Sequence, residues 1–479
     1  MNTSVSADRF IQLFRSKFPF TATYSQEKAF ERLASFLSEN QSDRLFILRG
    51  YAGTGKTTLI NTLNKVLLET GMKTVQLAPT GRAAKVISQY TSRPAYTIHK
   101  KIFFPKSVRG KGIQFTLAPN KHTQTLFIVD ESSMLSDDLG ERASSSSDSL
   151  LESLLKYVYS GKNCSLLLIG DTAQLPPVQS EESIALNDDF MGMRAMKEVF
   201  SATLTDVVRQ ERDSGVLHNA THLRSQLGQA YYDDLKLKVD DFDDVIRPLS
   251  GGEMLEALED AYREVGVSGT TIIVRSNKRA NLYNQNIRSR VLLLEESLSP
   301  GDQLMVVKNN YFWIDNSSAA SFIANGDLIE VLRIHQFYER YDFQFAKVEV
   351  RMVDYPEMAS FDTVLLLDIL SSDSPSLTYE DSNTIYQKVS EDYAHLSSQY
   401  KRYMGVKTNP EFNALQVKFS YAMTCHKAQG GQWSRVFVEQ PYAPDGFDEG
   451  HFRWLYTAFT RATEKLFLIG FENRYFNEE

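Results

Sequence analysis

Residues 44–58 read RLFILRGYAGTGKTT, and the fold turns on this stretch. The run from Arg44 to Arg49 is short and apolar, the composition of a strand covered on both faces of a parallel sheet. It leads into Gly50-Tyr51-Ala52-Gly53-Thr54-Gly55-Lys56-Thr57, which fits G-x-x-x-x-G-K-[ST]. Glycines let such a loop bend until its backbone N–H groups point inward at phosphate oxygens. Gly50, Ala52, Gly53, Thr54, Gly55, Lys56, Thr57 and Thr58 are therefore expected to cradle a nucleotide. Lys56 would reach the β- and γ-phosphates, and the Thr57 hydroxyl would ligate Mg²⁺. The helical run after the loop places a helix N-terminus toward the phosphates. A glycine-rich turn with an exposed lysine is the plain alternative, and the strand–loop–helix context speaks against it.

Outward from this loop, TVQLA (74–78), TLFIVD (125–130) and SLLLIG (165–170) repeat the short apolar run, with helical stretches between them. A second set follows at TTIIVR (270–275), VKFSYAMT (417–424), RVFVE (435–439) and KLFLIG (465–470), so two α/β units are expected. Two stretches break the alternation. Residues 99–124 suggest a small β-hairpin, and residues 299–414 carry period-two segments that suggest an antiparallel β-insert. Within the insert, 371–402 is polar and reads as a loop or surface helix.

A nucleotide site needs a metal ligand and a group to handle water. Asp130 and Glu131 follow the apolar run LFIV, where the first can hold Mg²⁺ and the second can orient or deprotonate water. Gln174, in GDTAQLPP (170–177), could sense the γ-phosphate, or could belong to an ordinary turn.

Composition removes several classes. The chain has 479 residues with 42% hydrophobic content, enough for two to four cored domains. The first eighteen residues have no uninterrupted apolar core of a signal peptide, and no apolar run is long enough to span a membrane. Two cysteines, Cys164 and Cys425, cannot make a disulfide framework or a cysteine-based zinc site. A reducing, cytoplasmic setting is expected. The net charge of −8 argues against a generally basic nucleic-acid coat. That value is unevenly distributed: residues 70–129 hold ten Lys or Arg and no Asp or Glu, leaving the remainder at −18.

In order along the chain stand GYAGTGKTT, APTGRAAKVI (78–87), TIHK (97–100), VDESSM (129–134), GDTAQLPP, DVVRQ (206–210), YAMTCHKAQGGQW (421–433) and YTAFTRA (456–462). This series resembles the superfamily-one helicases, most of all their RecD-like and Dda-like branch. The resemblance implies an α/β fold of two RecA-like P-loop motor domains with parallel sheets and ATP between them. It assigns 1–98 with 125–200 to the first motor domain and 201–298 with 415–479 to the second. It makes 99–124 a β-hairpin pin and 299–414 an SH3-like insert. It implies ATP and Mg²⁺ as cofactors, and 5′-to-3′ movement on single-stranded DNA.

By the same resemblance, Gln26 would read adenine, and Gly431 would lie at the nucleotide. Arg209 and Arg461 would act as arginine fingers once the second motor domain closes, beside Lys56, Glu131 and Gln174. Thr80, Arg82, Thr97, His99 and Lys100 match strand-contact motifs and lie in the acid-free stretch, where hydroxyls and cations suit sugar–phosphate contacts. Thr424, His426, Lys427 and Gln429 look like the segment linking strand and nucleotide. Gln432 stands where the family often has Glu, and its role stays open. Phe103 and Phe104 could stack on a base, wedge a duplex, or pack under the hairpin. Tyr311, Phe312 and Trp313 are expected to pack the insert core. The partners implied are single-stranded and tailed duplex DNA, and repair or recombination proteins, for a monomeric motor. An RNA helicase of the same superfamily, a motor subunit of a nuclease complex, and a nonmotor strand-binding subunit are the alternatives.

Overall fold

The short apolar runs of the amino-terminal part lie side by side, because each can bury both of its faces only between neighbouring strands and helices. The computed structural model describes residues 5–38, 44–108, 112–137, 148–178, 180–207, 213–229, 231–232, 235–314 and 322–476. Strands β1 (Arg44–Gly50), β2 (Lys73–Ala78) and β3 (Ala95–Thr97) precede an antiparallel hairpin of β4 (Phe103–Val108) and β5 (Gly112–Leu117). Strands β6 (Thr125–Val129), β7 (Ser165–Gly170) and β8 (Glu198–Leu204) complete a parallel sheet of order β3-β2-β6-β7-β1-β8. Alternate residues of β1 serve opposite cores. Phe46 and Leu48 pack under the helices Ala7–Lys17, Tyr24–Ser38 and Lys56–Glu69, whereas Leu45 and Ile47 pack against the helix Leu150–Ser160. Strands β6, β7 and β1 are neighbours running the same way, so the residues after Val129, Gly170 and Gly50 emerge on one edge.

The second unit is built likewise. After β9 (Val245–Ile246) and β10 (Thr270–Val274), the chain leaves to form a closed barrel of β11 (Gln303–Val306), β12 (Leu328–Arg340), β13 (Phe343–Met352), β14 (Phe361–Leu366) and β15 (Leu415–Phe419). It returns as β16 (Ala422–Thr424), β17 (Trp433–Glu439) and β18 (Ala462–Ile469), giving a parallel sheet of order β16-β10-β17-β18-β9. The α/β architecture with a hairpin and a β-insert agrees with expectation.

One detail differs. The single strand expected over 417–424 is divided between barrel and sheet. The Ser420 hydroxyl donates to the Gln303 carbonyl at 3.0 Å, and the Tyr421 hydroxyl to buried Asp302 at 2.8 Å, which pins the chain at the crossover. The polar stretch 371–402, read as a loop or surface helix, holds the helix Tyr379–Asp392 and the start of Gln399–Thr408, packed on the barrel. Among the described residues no helix is long and apolar enough to cross a membrane.

Candidate active site and strand cleft

The loop after β1 takes the shape its glycines permit. Gly53 and Gly55 have φ of 72° and 82°, a region that side-chain-bearing residues avoid. At Gly50 an added Cβ would lie 2.7 Å from Lys56 Cγ, so the loop and its lysine leave no room for a side chain. Gly55 caps the helix Lys56–Glu69. The Lys56 ammonium donates to the carbonyls of Gly50 (2.6 Å) and Tyr51 (2.9 Å), and lies 3.7 Å from the Asp171 carboxylate.

A cleft of about 490 Å³ opens over this loop. Ala52, Gly53, Gly55, Lys56, Thr57, Thr58, Asp130, Glu131 and Gln174 line it from the first unit, and Gln432 and Arg461 from the second. Burial, followed by the charge of Glu131, pushes the Asp130 carboxyl up to about 7. A divalent cation is the neighbour that restores such a group to its charged form, so Asp130 and Thr57 fit a Mg²⁺ site. Gln174 is buried with its Oε1 unpartnered, an acceptor in need of a donor. Arg461 is 4% exposed. Its guanidinium lies 3.9 Å from Glu131 and donates to the carbonyls of Thr457 (3.0 Å) and Gly431 (3.3 Å). The second unit therefore already delivers a cation to the carboxylate at the end of β6.

Not every expected residue lines this cleft. Gln26 donates to the Thr54 carbonyl at 3.0 Å and accepts from the Thr23 N–H at 2.9 Å, so it braces the loop from behind. Gly50 and Thr54 shape the loop; the Thr54 hydroxyl donates to the Tyr51 carbonyl at 2.8 Å. Gly431 sits against Arg82 and Trp433, where a Cβ would approach both within 2.7 Å. Gln432 faces the cleft instead, accepting from the Tyr90 hydroxyl at 3.1 Å. Arg209 lies outside the described residues.

A second cleft, of about 280 Å³, joins all three bodies. Thr80, Arg82, Thr97 and His99 come from the first unit, His426, Lys427 and Gln429 from the second, and Met305, Asn309 and Asn325 from the barrel. The barrel is held there by Lys85, whose ammonium pairs with Asp354 at 3.1 Å. Thr80 and Thr97 each cap a helix, accepting from Ala83 N–H and Lys100 N–H at 3.2 Å. Each hydroxyl keeps its own hydrogen to donate. Arg82 lies 4.1 Å above the Trp433 ring. Burial pushes Lys427 down to about 8. It is therefore charged at pH 7 and loses its proton as pH rises past 8. Affinity for a single strand should accordingly fall between about pH 7 and 9. In Lys427→Arg that fall should vanish, as fluorescence anisotropy titrations at a series of pH values would show.

Thr424, Lys100, Phe103 and Phe104 do not line this cleft. Thr424 stands at the N-cap position of the short helix Cys425–Ala428 without a capping bond from its side chain. Lys100 lies 5.8 Å from the Tyr355 ring, at the seam with the barrel. Neighbouring residues of a strand point to opposite faces. Phe103 accordingly packs on the core beneath the helix Leu150–Ser160, its ring 5.8 Å from His99, whereas Phe104 remains 39% exposed.

Three residues were given no role by the sequence reading, although two of them stand in the quoted YTAFTRA. Arg453, Tyr456 and Thr457 share one face of the helix Glu449–Phe459, at i, i+3 and i+4 spacing, and grip the loop after β7. Arg453 donates to the Thr172 carbonyl, and Thr457 accepts from Leu175 N–H at 2.8 Å. The buried Tyr456 hydroxyl donates to Asp171 at 2.7 Å and accepts from the Ala52 N–H at 2.8 Å. Polar side chains at helical spacing on an otherwise apolar helix were the available signal. Gln429 completes the grip: it lines the strand cleft and donates to the Leu175 carbonyl at 2.8 Å, one residue from Gln174.

Residues 21–237 match the AAA domain family, and residues 419–469 match the UvrD-like helicase C-terminal domain. The chain is 26% identical over 458 residues to the ATP-dependent RecD2 DNA helicase of Deinococcus radiodurans, covering 92% of this chain and 49% of that protein. It is 24% identical over 468 residues to the ATP-dependent DNA helicase dda of Enterobacteria phage T4, covering 93% of this chain and 99% of that one. The chain thus spans about half of the first relative and nearly all of the second. Among solved structures, a Bacteroides Pif1 helicase in complex with ADP-AlF3 and single-stranded DNA aligns at 15% identity, with a TM-score of 0.47, over 96% of this chain and 95% of that one.

Proposed function

We infer that this chain, a superfamily-one helicase of the RecD-like and Dda-like kind, is an ATP-driven motor that moves 5′-to-3′ on single-stranded DNA and unwinds duplex. One observation carries the reading. A single cleft holds Lys56, Asp130 and Glu131 from one unit and Arg461 from the other, and Gln429 ties that cleft to a second one lined by hydroxyls and cations. In this reading the two parallel-sheet units are the motor domains, and the second resumes where the chain leaves the barrel, after Phe419.

Each side chain has a task that its chemistry suits. Thr57 and Asp130 would hold Mg²⁺, which neutralises phosphate charge when bound. Lys56 exchanges its loop carbonyls for phosphate oxygens, a charge-assisted bond that is stronger than a neutral one. Glu131 accepts a proton from water or orients it. Arg461 stabilises charge that builds during transfer, so turnover depends on both units being together. Gln174, whose amide N–H can donate to a phosphate oxygen while its Oε1 accepts from water, reports the phosphate state through Leu175 to Gln429 and the strand. Phosphate contacts without base readout make the grip indifferent to sequence.

Strand displacement with 5′-tailed, 3′-tailed and RNA-tailed duplexes, with and without ATP, tests the reading. Unwinding is expected from the 5′ DNA tail with ATP. Displacement from a 3′ tail alone would reverse the polarity, and an RNA tail that works better would move the protein to RNA. Normal turnover by Lys56→Ala would remove the nucleotide assignment itself.

A further inference from the structure

A third cleft, of about 430 Å³, lies between the barrel and the helices packed on it. One wall is the segment Lys308–Phe312 and the other is the helix Tyr379–Asp392, with Lys407 and the 411–414 turn at its end. Phe312 is 37% exposed and Tyr386 is 42% exposed, so a ring from each wall is open to a ligand. Neither ring is loosely placed. Phe312 stands edge-on to Trp313 at 4.9 Å, and the Trp313 indole N–H donates to the Asn413 carbonyl at 2.7 Å. Tyr386 stands edge-on to Phe412 at 6.0 Å. Lys407, whose ammonium lies 5.8 Å from the Phe412 ring, brings positive charge to the same cleft. Glu411 also lines it, with one carboxylate oxygen buried and unpartnered.

Asn309 lines both this cleft and the strand cleft of Thr80 and Lys427, so the two adjoin. The chemistry is specific in kind. Two held aromatic rings accept a flat π-system, a lysine accepts an anion, and an unpartnered carboxylate oxygen accepts an N–H donor. A nucleotide unit of a single strand supplies the three together: base face, phosphate and exocyclic amine. We propose that this cleft is a second single-strand subsite, in which a base that has passed Asn309 stacks against Phe312 and Tyr386 with its phosphate near Lys407. This rests on the strand-binding reading above. It extends the grip from the motor units onto the barrel's own helices.

Length-dependent binding tests it. A short oligonucleotide of about 6 nucleotides would fill the strand cleft, and one of about 16 would reach past Asn309 as well, a range that single-strand sites commonly span. Phe312→Ala and Tyr386→Ala are each expected to weaken the long oligonucleotide by about tenfold or more, and to leave the short one within about twofold. Lys407→Gln should lower the salt dependence by about one counterion, again on the long one only. A 2-aminopurine walked along the long strand should be quenched at one position, and that quench should be lost in Phe312→Ala. Thermal melting of each variant separates loss of binding from loss of fold, and three separate substitutions guard against one that does not fold. Equal losses on both lengths, or no loss on the long one, would overturn the subsite while leaving the motor intact. Wild-type protein that binds neither length would overturn the strand reading and the subsite with it.

Discussion

Arg461→Ala is expected to lower strand-stimulated ATP turnover by about 10³-fold or more, the scale on which arginine fingers act. The size follows from position. Arg461 reaches the cleft from the unit opposite Lys56, is 4% exposed, and is aimed by carbonyls of Thr457 and Gly431. A planar cation held by backbone acceptors needs no rearrangement when charge develops near it. Lysine at this position would keep the charge but could not reproduce the fork, so Arg461→Lys should recover little of the rate. Phosphate release at saturating strand measures the effect, with a binding titration of labelled nucleotide beside it. Substrate binding should change far less than turnover. A variant that hydrolyses ATP within about threefold of the parent would take Arg461 out of the chemistry.

Glu131→Gln should act on the same step from the other side. Glutamine keeps the size of the side chain and its hydrogen bonding but cannot take a proton, and a positioned general base contributes about 10²–10⁴ in rate. Turnover is expected to fall by that factor while nucleotide binding persists. Glu131 is set for the task by an unusual backbone: its φ of 53° turns the chain at the end of β6. Its N–H donates to Asp130 at 2.8 Å, which fixes the pair relative to each other. The substitution also removes a carboxylate that lies 3.9 Å from Arg461, so the double variant should cost less than the two losses multiplied. Equal loss of binding and turnover in Glu131→Gln would mean that the residue holds the loop rather than acts on water.

Much of the site was legible because it is local. Lys56, Thr57, Asp130 and Glu131 are set by strand ends, and a continuous apolar strand that leads into a glycine loop announces itself over a dozen residues. The hairpin and the β-insert were legible for the same reason, as breaks in a helix–strand alternation. The division of 417–424 was not. Its apolar run suits a barrel strand and a parallel strand equally well, and what separates them is a hydroxyl bond from Tyr421 to Asp302, 119 residues away. Gln26 was read as a base contact from its motif, and what its position adds is a brace: its amide also ties Thr23 to Thr54 of the loop. Phe312 was expected in the insert core and stands over a third exposed at a cleft.

The sequence by itself determined the phosphate loop, the order of the motifs, the two sheets and the segregation of basic charge, since these follow from residue type and short spacing. The tertiary structure decided which side chains meet. Tyr456 reaching Ala52 and Asp171, Gln429 reaching Leu175, and Asn309 standing between two clefts are contacts across hundreds of residues or between separate bodies. No periodicity encodes such pairs. A hydrogen bond is selected by burial and direction at about 3 Å, and that distance exists only once the sheets, the helices and the barrel have packed.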